Sequence, residues 1–390
     1  MLLEYPIEEY EARQKKLLGA MDRNGLEAVV LTAKENTRYF CGLLSVSWKS
    51  KSAAPGALVV LKDGSYVLAG SSGAMGTMEA TSCVEDIRGF HPLGRNNMPN
   101  SFPRLIHEIF KEKGILRRKI GMELSSRTRL NLCVEDYNEI IGLCRGNEFV
   151  DCGRLLWPIR MIKSERELVN VRKACEINYK SFDATMHAIS QGMTEYDLYR
   201  NTLKEMLSLG AEETYSFGIR AGKERYGQPN CTPCDRPIGR NEMILMDGGL
   251  IYKGFFSDMI RQAIIGSPNA VQRKYYEMSV AACERALENV KPGEPVGGIC
   301  RGANAYLASQ GFGENMLSGC GHGLGLDIHE FPNLDCLSED LLLPGMVIAV
   351  EPSIYVPGEG MFGIEENVVV TDQGYELLTP MSRELIELET

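Results

Sequence analysis

Two hydrophobic rhythms alternate along this chain. Ile7, Tyr10, Leu17, Leu18 and Met21 recur at helical spacing within residues 6–25, so an amphipathic helix stopping at Asn24-Gly25 is expected. Residues 28–32 form a short apolar run that reads as a buried strand. Residues 57–68 carry a strong hairpin signal, with Asp63-Gly64 suited to a primed turn. A helix over 101–113, a strand over 119–124 and a helix near 127–141 complete an alternating pattern. That alternation implies a mixed sheet flanked by helices. It contains no phosphate-cradling glycine loop, so no cofactor is assigned to it.

After Trp157-Pro158 the pattern changes. Ser164 with Glu167 three residues on is a capping box, and the helix it opens is expected to run to about Ser190. A domain boundary is therefore placed near residue 160, dividing the chain into 1–159 and 160–390. Further helices are expected at 194–209, 268–291 and 296–310, with Pro292-Gly293 breaking the chain between the last two. The fold class is α+β: a smaller α/β domain followed by a domain whose helices alternate with strands.

Those later strands bear acids. In Ile244 to Arg261, an apolar run before Asp247 and an aromatic-rich run after Gly254 predict a hairpin turning at Tyr252-Lys253-Gly254. A two- or four-residue loop centred on Tyr252 and Lys253 sets Asp247 opposite Asp258, with Cβ atoms roughly 5 Å apart. Two solvated aspartates beside a turn would be the plain alternative. The neighbours Ile244, Leu245, Met246, Phe255 and Phe256 instead indicate burial, and a buried acidic pair needs a cation or a proton. Downstream, His322 and His329 stand in a stretch where Gly321, Gly323 and Gly325 permit close backbone approach. Glu351 ends an apolar strand, and Glu365 opens a valine-rich one. A lone histidine is often a core residue and a lone glutamate is often solvated, but five such positions in this order point to one site. Four carboxylates and one imidazole form a hard, oxygen-rich set suited to Mn²⁺, Fe²⁺, Co²⁺ or Zn²⁺, among which the residues do not choose.

In order and local context, Asp247, Asp258, His322, Glu351 and Glu365 resemble the ligands of the pita-bread metalloenzymes. That family includes methionine aminopeptidase, prolidase, aminopeptidase P and the metal-free creatinase. The pieces Asp-x-Gly, Ser-Asp-x-x-Arg, Gly-His-Gly-x-Gly, Glu-Pro and Ile-Glu-x-x-Val-x-Val-Thr all occur. The run from Arg160 through Lys163 to Val169 is similar to the opening of the family's catalytic domain. The likeness is close from about residue 160 and general before it. It implies a creatinase-like N-terminal domain and a pita-bread catalytic domain holding two divalent ions per chain. Asp258 and Glu365 would bridge the ions, Asp247 would chelate one, and His322 and Glu351 would hold the other. A water shared by the ions would attack the scissile carbonyl of a short Xaa-Pro peptide. Glu351 would accept its proton, and His329 would hydrogen-bond the carbonyl or the tetrahedral intermediate, unless it only buttresses the loop. A homodimer is implied, in which Trp48 and Lys49 would reach the partner's pocket, against the commoner fate of core packing.

Two positions depart from the peptidase pattern. Asn230 stands where a histidine is expected, and Gly363 stands where many peptidases have an arginine. Asparagine carries no proton or charge at neutral pH. A second expectation therefore keeps the fold and metals but assigns a small amide, amidine or sulfonium substrate. Arg220, Lys223, Arg225 and Tyr226 would then bind substrate at the pocket mouth, the alternative being a solvated basic loop. A third is a metal-bearing binding protein without catalysis, which the complete five-ligand set argues against.

Composition narrows the partners. A formal net charge of −10 over 390 residues argues against nonspecific binding to nucleic acid or anionic membranes. No apolar run approaches the ~18 residues needed to cross a bilayer. The first residues lack the features of an export signal, so a cytoplasmic chain with twelve reduced, scattered cysteines is expected. Cys231 and Cys234 have no second pair to complete a zinc tetrahedron.

Overall fold

The short apolar runs of the first part become strands β1 (Ala28–Leu31), β2 (Ala57–Leu61), β3 (Tyr66–Ser71), β4 (Asp86–Phe90), β5 (Lys119–Met122) and β6 (Glu148–Asp151). In the computed structural model they form one mixed sheet in the order β4-β3-β2-β1-β5-β6. β1 and β2 are buried at every position, as strands covered on both faces must be. Residues 2–50, 53–125, 127–226, 228, 231–312 and 319–389 are described, without the side chains of 48, 49, 216 and 217. Asn230 and the side chains of Trp48 and Lys49 therefore lie outside the described residues.

Two local expectations are corrected here. The β2–β3 loop is not a two-residue primed turn: Leu61 N–H donates to the Ser65 carbonyl, enclosing three residues, and only Gly64 takes a positive φ, +87°. The Asp63 carboxylate accepts from the Ser65 amide (2.9 Å) and hydroxyl (2.7 Å), which stabilises this wider turn. The helix expected near 127–141 begins only at Val134 and ends at Leu143. Upstream, the Ser125 and Thr128 hydroxyls bond each other at 2.7 Å, and Thr128 N–H donates to the Ser125 carbonyl. Such side-chain bonding competes with helix formation.

The chain divides into two compact units, Met1–Ile159 and Arg160–Thr390. The second opens with the Ser164–Glu167 capping box and the helix Glu165–His187, followed by the helix Glu195–Ser208. Its strands are β7 (Glu213–Ala221), β8 (Met243–Tyr252), β9 (Phe255–Phe256), β10 (Met259–Ile265), β11 (Gly319–Gly323), β12 (Glu330–Asp335), β13 (Val347–Val350), β14 (Ser353–Val356), β15 (Gly360–Gly363), β16 (Glu366–Thr371), β17 (Gly374–Leu377) and β18 (Ile386–Leu388). One sheet runs β18-β10-β8-β7, with β9 beside β8, and another runs β12-β11-β13-β16-β17. β8 is apolar throughout its first half because both its faces are covered. Met243 and Leu245 join the core built on the helices Ala270–Leu287 and Gly297–Ser309, while Ile244 and Met246 join the core under Glu165–His187. Cys300 and Cys336 are joined in a disulfide, so not all twelve cysteines are thiols as expected; the pair brings the Gly297–Ser309 helix and the segment after β12 together. Among the described residues no helix is long and apolar enough to cross a membrane.

Glu330, the first residue of β12, is 1% exposed and carries a buried ion cluster. Arg160 Nη2 donates to one carboxylate oxygen and Lys163 Nζ to the other, the latter at 3.1 Å. The amides of Leu326 and Asp327 also donate to it, which fixes the loop holding His329. Burial alone would push this carboxyl up, but the two cations outweigh it and hold it below its ordinary value. Removing one partner of a buried ion cluster leaves the others uncompensated. Glu330→Gln is therefore expected to cost about 3–5 kcal/mol in urea unfolding at neutral pH. Because the folded carboxyl titrates below the unfolded one, its stabilisation is complete above the usual carboxylate range. It is lost as pH falls through the lowered value, so the gap between wild type and variant must close on acidification.

Candidate metal centre

The hairpin forms, but its register differs from the expected one. Tyr252 pairs with Phe255 and Ile251 with Phe256, so the turn is Lys253-Gly254. Both turn residues have positive φ, +46° and +81°, as a type I′ turn demands. This centres the turn one residue later than the expected one. Asp247 consequently faces Ile260 rather than Asp258. The two aspartates are diagonal neighbours on one face, where separations of roughly 7–8 Å are usual. They still repel: the Asp247 charge contributes to raising the Asp258 carboxyl, after burial itself.

The remaining acids and the histidine come from the other sheet. His322 lies on β11 opposite Ala349, Glu351 follows β13, and Glu365 precedes β16. A Cβ at Gly321 would run into the Ala349 carbonyl, and one at Gly323 into the Phe331 carbonyl. His322 is thus presented on a strand pressed between its two neighbours, which only glycines on either side allow. Main-chain and side-chain bonds fasten the sheets together beneath it. Asp258 N–H donates to Asn367 Oδ1 (2.9 Å), Phe256 N–H to the Gly325 carbonyl (2.8 Å), and Arg261 Nη1 to the Glu365 carbonyl (2.9 Å). Arg261 Nη2 also pairs with Glu366 at 2.8 Å, so a fully buried guanidinium underlies the Glu365 backbone.

The side-chain ligand atoms of Asp258, His322 and Glu365 lie within 4.8 Å of one another. His322 Nε2 is 3.4 Å from Glu351 Oε1 and 3.9 Å from Asp258 Oδ2. Its Nδ1 lies 3.0 Å from the Gly323 carbonyl, a placement that puts the proton on Nδ1 and leaves Nε2 as the donor to a cation. Asp258, His322 and Glu365 are buried, whereas the side chains of Asp247 and Glu351 are 32% and 31% exposed. His329 is exposed, its ring perpendicular to that of His322 at 4.3 Å. The group therefore has a closed floor of three residues and an open side at Asp247, Glu351 and His329.

Electrostatics decide what such a floor holds. Burial pushes the Asp258 and Glu365 carboxyls far up, and the neighbouring carboxylates push them further. Glu351 is pushed up to about 8 by burial and then by the Asp247 charge. Asp258 Oδ1 and both Glu365 carboxylate oxygens are buried without a hydrogen-bond partner. Unpartnered buried oxygens are costly, and oxygens that repel one another across a few ångströms fit a divalent cation, not a protein donor. Four hard oxygen donors and one imidazole nitrogen suit that group.

The other expected site residues are placed differently. Arg220 is 1% exposed, donates to Asp247 Oδ2 at 2.5 Å and reaches the Gln228 carbonyl at 3.3 Å. Tyr226 is a core residue, 1% exposed and edge-on to Phe362. Arg225 pairs with Glu195 and Lys223 with Glu359. Lys223 is exposed, Arg225 is half-buried, and Arg220 and Tyr226 are buried, so the four do not share one environment. At Gly363 an added Cβ would meet Ser353 Oγ across the β14–β15 pair, so a side chain there requires that hydroxyl to turn away. Sequence reasoning missed Asn367 and Glu330. It placed Arg261 within a motif without giving it a role. The spacing of Arg261 three residues after Asp258 was a signal, whereas Asn367 offered none.

Comparison with known proteins bears on this arrangement. Residues 169–372 match Metallopeptidase family M24, and residues 13–162 match the Creatinase/Prolidase N-terminal domain. An Xaa-Pro dipeptidase of Pyrococcus horikoshii is 30% identical over 373 residues, covering 95% of this chain and 98% of that protein. The crystal structure of the prolidase from Pyrococcus horikoshii OT3 superposes with a TM-score of 0.83 at 28% identity, covering 96% of this chain and 100% of the other. An Xaa-Pro dipeptidase from Bacillus anthracis gives 0.85 at 25% identity, covering 97% and 100%. With its acids and histidine carried on or beside strands of two sheets, in a unit that follows a creatinase-type domain in sequence, the chain belongs to metallopeptidase family M24, the pita-bread hydrolases.

Proposed function

We propose that the chain is a dinuclear metal-dependent dipeptidase acting on short Xaa-Pro peptides, with residues 1–159 as its creatinase-like domain and 160–390 as its catalytic domain. The observation that carries this reading is the convergence of Asp258, His322 and Glu365, with three carboxylate oxygens buried and unpartnered. The substrate class is supported by relatives named Xaa-Pro dipeptidase that align over nearly the whole chain. In this reading Asp247, Asp258, His322, Glu351 and Glu365 would together hold two divalent ions, with His322 and Glu351 serving one and Asp247 the other. Bound divalent ions of this kind acidify water towards neutrality and polarise a carbonyl. Mn²⁺, Fe²⁺, Co²⁺ and Zn²⁺ all suit the donor set.

The chain's own residues then do the rest. Glu351, part-open and 3.4 Å from His322, accepts a proton from the attacking water and returns it to the departing amine. His329, exposed on the same side, donates a hydrogen bond to the carbonyl oxygen as it gains charge. Bonds from the Leu326 and Asp327 amides to Glu330 hold the loop that carries it.

A second reading gives the same centre a small amide, amidine or sulfonium substrate. The glycine at 363, where many peptidases carry an arginine, favours it. The metal-depleted chain, reloaded separately with each of the four metals, is to be assayed on Xaa-Pro dipeptides and on a panel of small amides. Hydrolysis of the dipeptides is expected; metal uptake with turnover of the small amides alone would overturn the peptidase reading. Asp258→Ala is expected to abolish hydrolysis and metal retention together, read by activity and elemental analysis, and an active, metal-replete variant would contradict the assigned site. His329→Ala is expected to lower kcat by about 10²–10³-fold with metal content unchanged, the loss typical of one oxyanion donor.

A further inference from the structure

Among the described residues, Arg220 is a charged group at the centre that the hydrolytic scheme does not use. It stands on β7 beside β8, where Gly218 pairs with Asp247 and Arg220 with Leu245. Its side chain is 1% exposed. Nη2 donates to Asp247 Oδ2 at 2.5 Å, Nη1 donates to the Gln228 carbonyl at 3.3 Å, and Nε is buried without a partner. A guanidinium does not give up its proton in a protein, so this is a permanent positive charge. A buried charge of that kind is held by its acid, because separating the two leaves both uncompensated. Among the described residues Asp247 is the only carboxylate paired with Arg220.

Charge counting shows what this does. Asp247, Asp258, Glu351 and Glu365 bring four negative charges when ionised. Two divalent cations alone would balance them. With Arg220 present, one divalent ion leaves a single negative charge, and a second ion makes the centre positive. Geometry acts in the same direction. One Asp247 oxygen already accepts from Arg220, which reduces the charge that oxygen can offer a cation.

We propose that Arg220 is a built-in cation of the metal centre, which draws on the charge of Asp247 and thereby weakens the second divalent site. The inference rests on the metal-dependent reading above. It makes Arg220 a positioning residue, acting on the ion through Asp247, and assigns no contact with substrate. It also separates two roles that the fold gives to arginines here. Arg261 underlies the Glu365 main chain and pairs with Glu366, outside the ligand set, whereas Arg220 competes for a ligand directly.

The test is a calorimetric titration of the metal-depleted full-length chain with Mn²⁺, alongside Arg220→Gln, with circular dichroism melting to confirm folding. Arg220→Gln is expected to tighten the second ion by about tenfold or more, a shift calorimetry resolves, while the first ion moves by less than about threefold. A second site that is unchanged or weaker in the variant, or a first site that shifts as much as the second, would overturn the proposal and leave Arg220 a merely structural residue. Should the variant not fold, a crystal structure of the wild-type chain loaded with Mn²⁺ decides. Arg220 still bonded to Asp247 beside the bound ion supports the proposal; a guanidinium turned away from Asp247 refutes it. A wild-type chain that takes up no metal at all would instead refute the metal-dependent reading itself.

Discussion

Mutual repulsion among four carboxylates is the constraint from which the rest of the catalytic unit follows. In a poorly polarisable interior, like charges a few ångströms apart interact far more strongly than in water. Burial and neighbouring charge together drive the Asp258, Glu351 and Glu365 carboxyls upward, and among the described residues no donor reaches Asp258 Oδ1 or the Glu365 oxygens. A fold that holds such a group in place must resist its tendency to spread. It does so from below, through the buried guanidinium of Arg261 on the Glu365 main chain and through Asn367 on the Asp258 amide.

The two sheets share this load unequally. The β8–β10 hairpin is sandwiched between two apolar cores, so its aspartates are carried on a rigid support with little freedom to separate. The β11–β13–β16 side contributes its residues at or beside strand ends, where Glu351 and Glu365 leave the ladder. Close approach of β11 to its neighbours is what brings His322 into range, and glycine on both sides of it is the condition for that approach. The Glu330 cluster extends the same logic to the open side, since two buried cations and two amides hold the loop that carries His329.

Much of this was legible in the sequence because it is local. The Ser164–Glu167 capping box, the helices after residue 194 and the apolar strands of the first unit follow from spacing alone. The hairpin was legible too, but its register was not. The choice between Tyr252-Lys253 and Lys253-Gly254 rests on which residue pair adopts two positive φ angles, and Gly254 tips it. The Asp63 loop shows the same limit, as a side-chain bond to Ser65 selects a wider turn over the tight one. The burial of Arg220 and Tyr226 was not legible for a different reason. Burial of a cation or a tyrosine depends on partners far along the chain, Asp247 and Phe362, and no local pattern announces them. The Cys300–Cys336 pair is likewise a matter of tertiary proximity across 36 residues.

Relief of carboxylate repulsion by divalent ions should appear in the stability of the fold, whatever the substrate. Thermal unfolding of the metal-depleted chain with and without Mn²⁺ measures it directly. A ligand held only by the folded state at a hundred times its Kd adds about 2.7 kcal/mol, so the melting temperature must rise with added Mn²⁺. It must rise far less in Glu365→Gln, which leaves the floor of the centre one charge short. A melting temperature indifferent to divalent ions in the wild-type chain would contradict a metal centre at Asp258, His322 and Glu365.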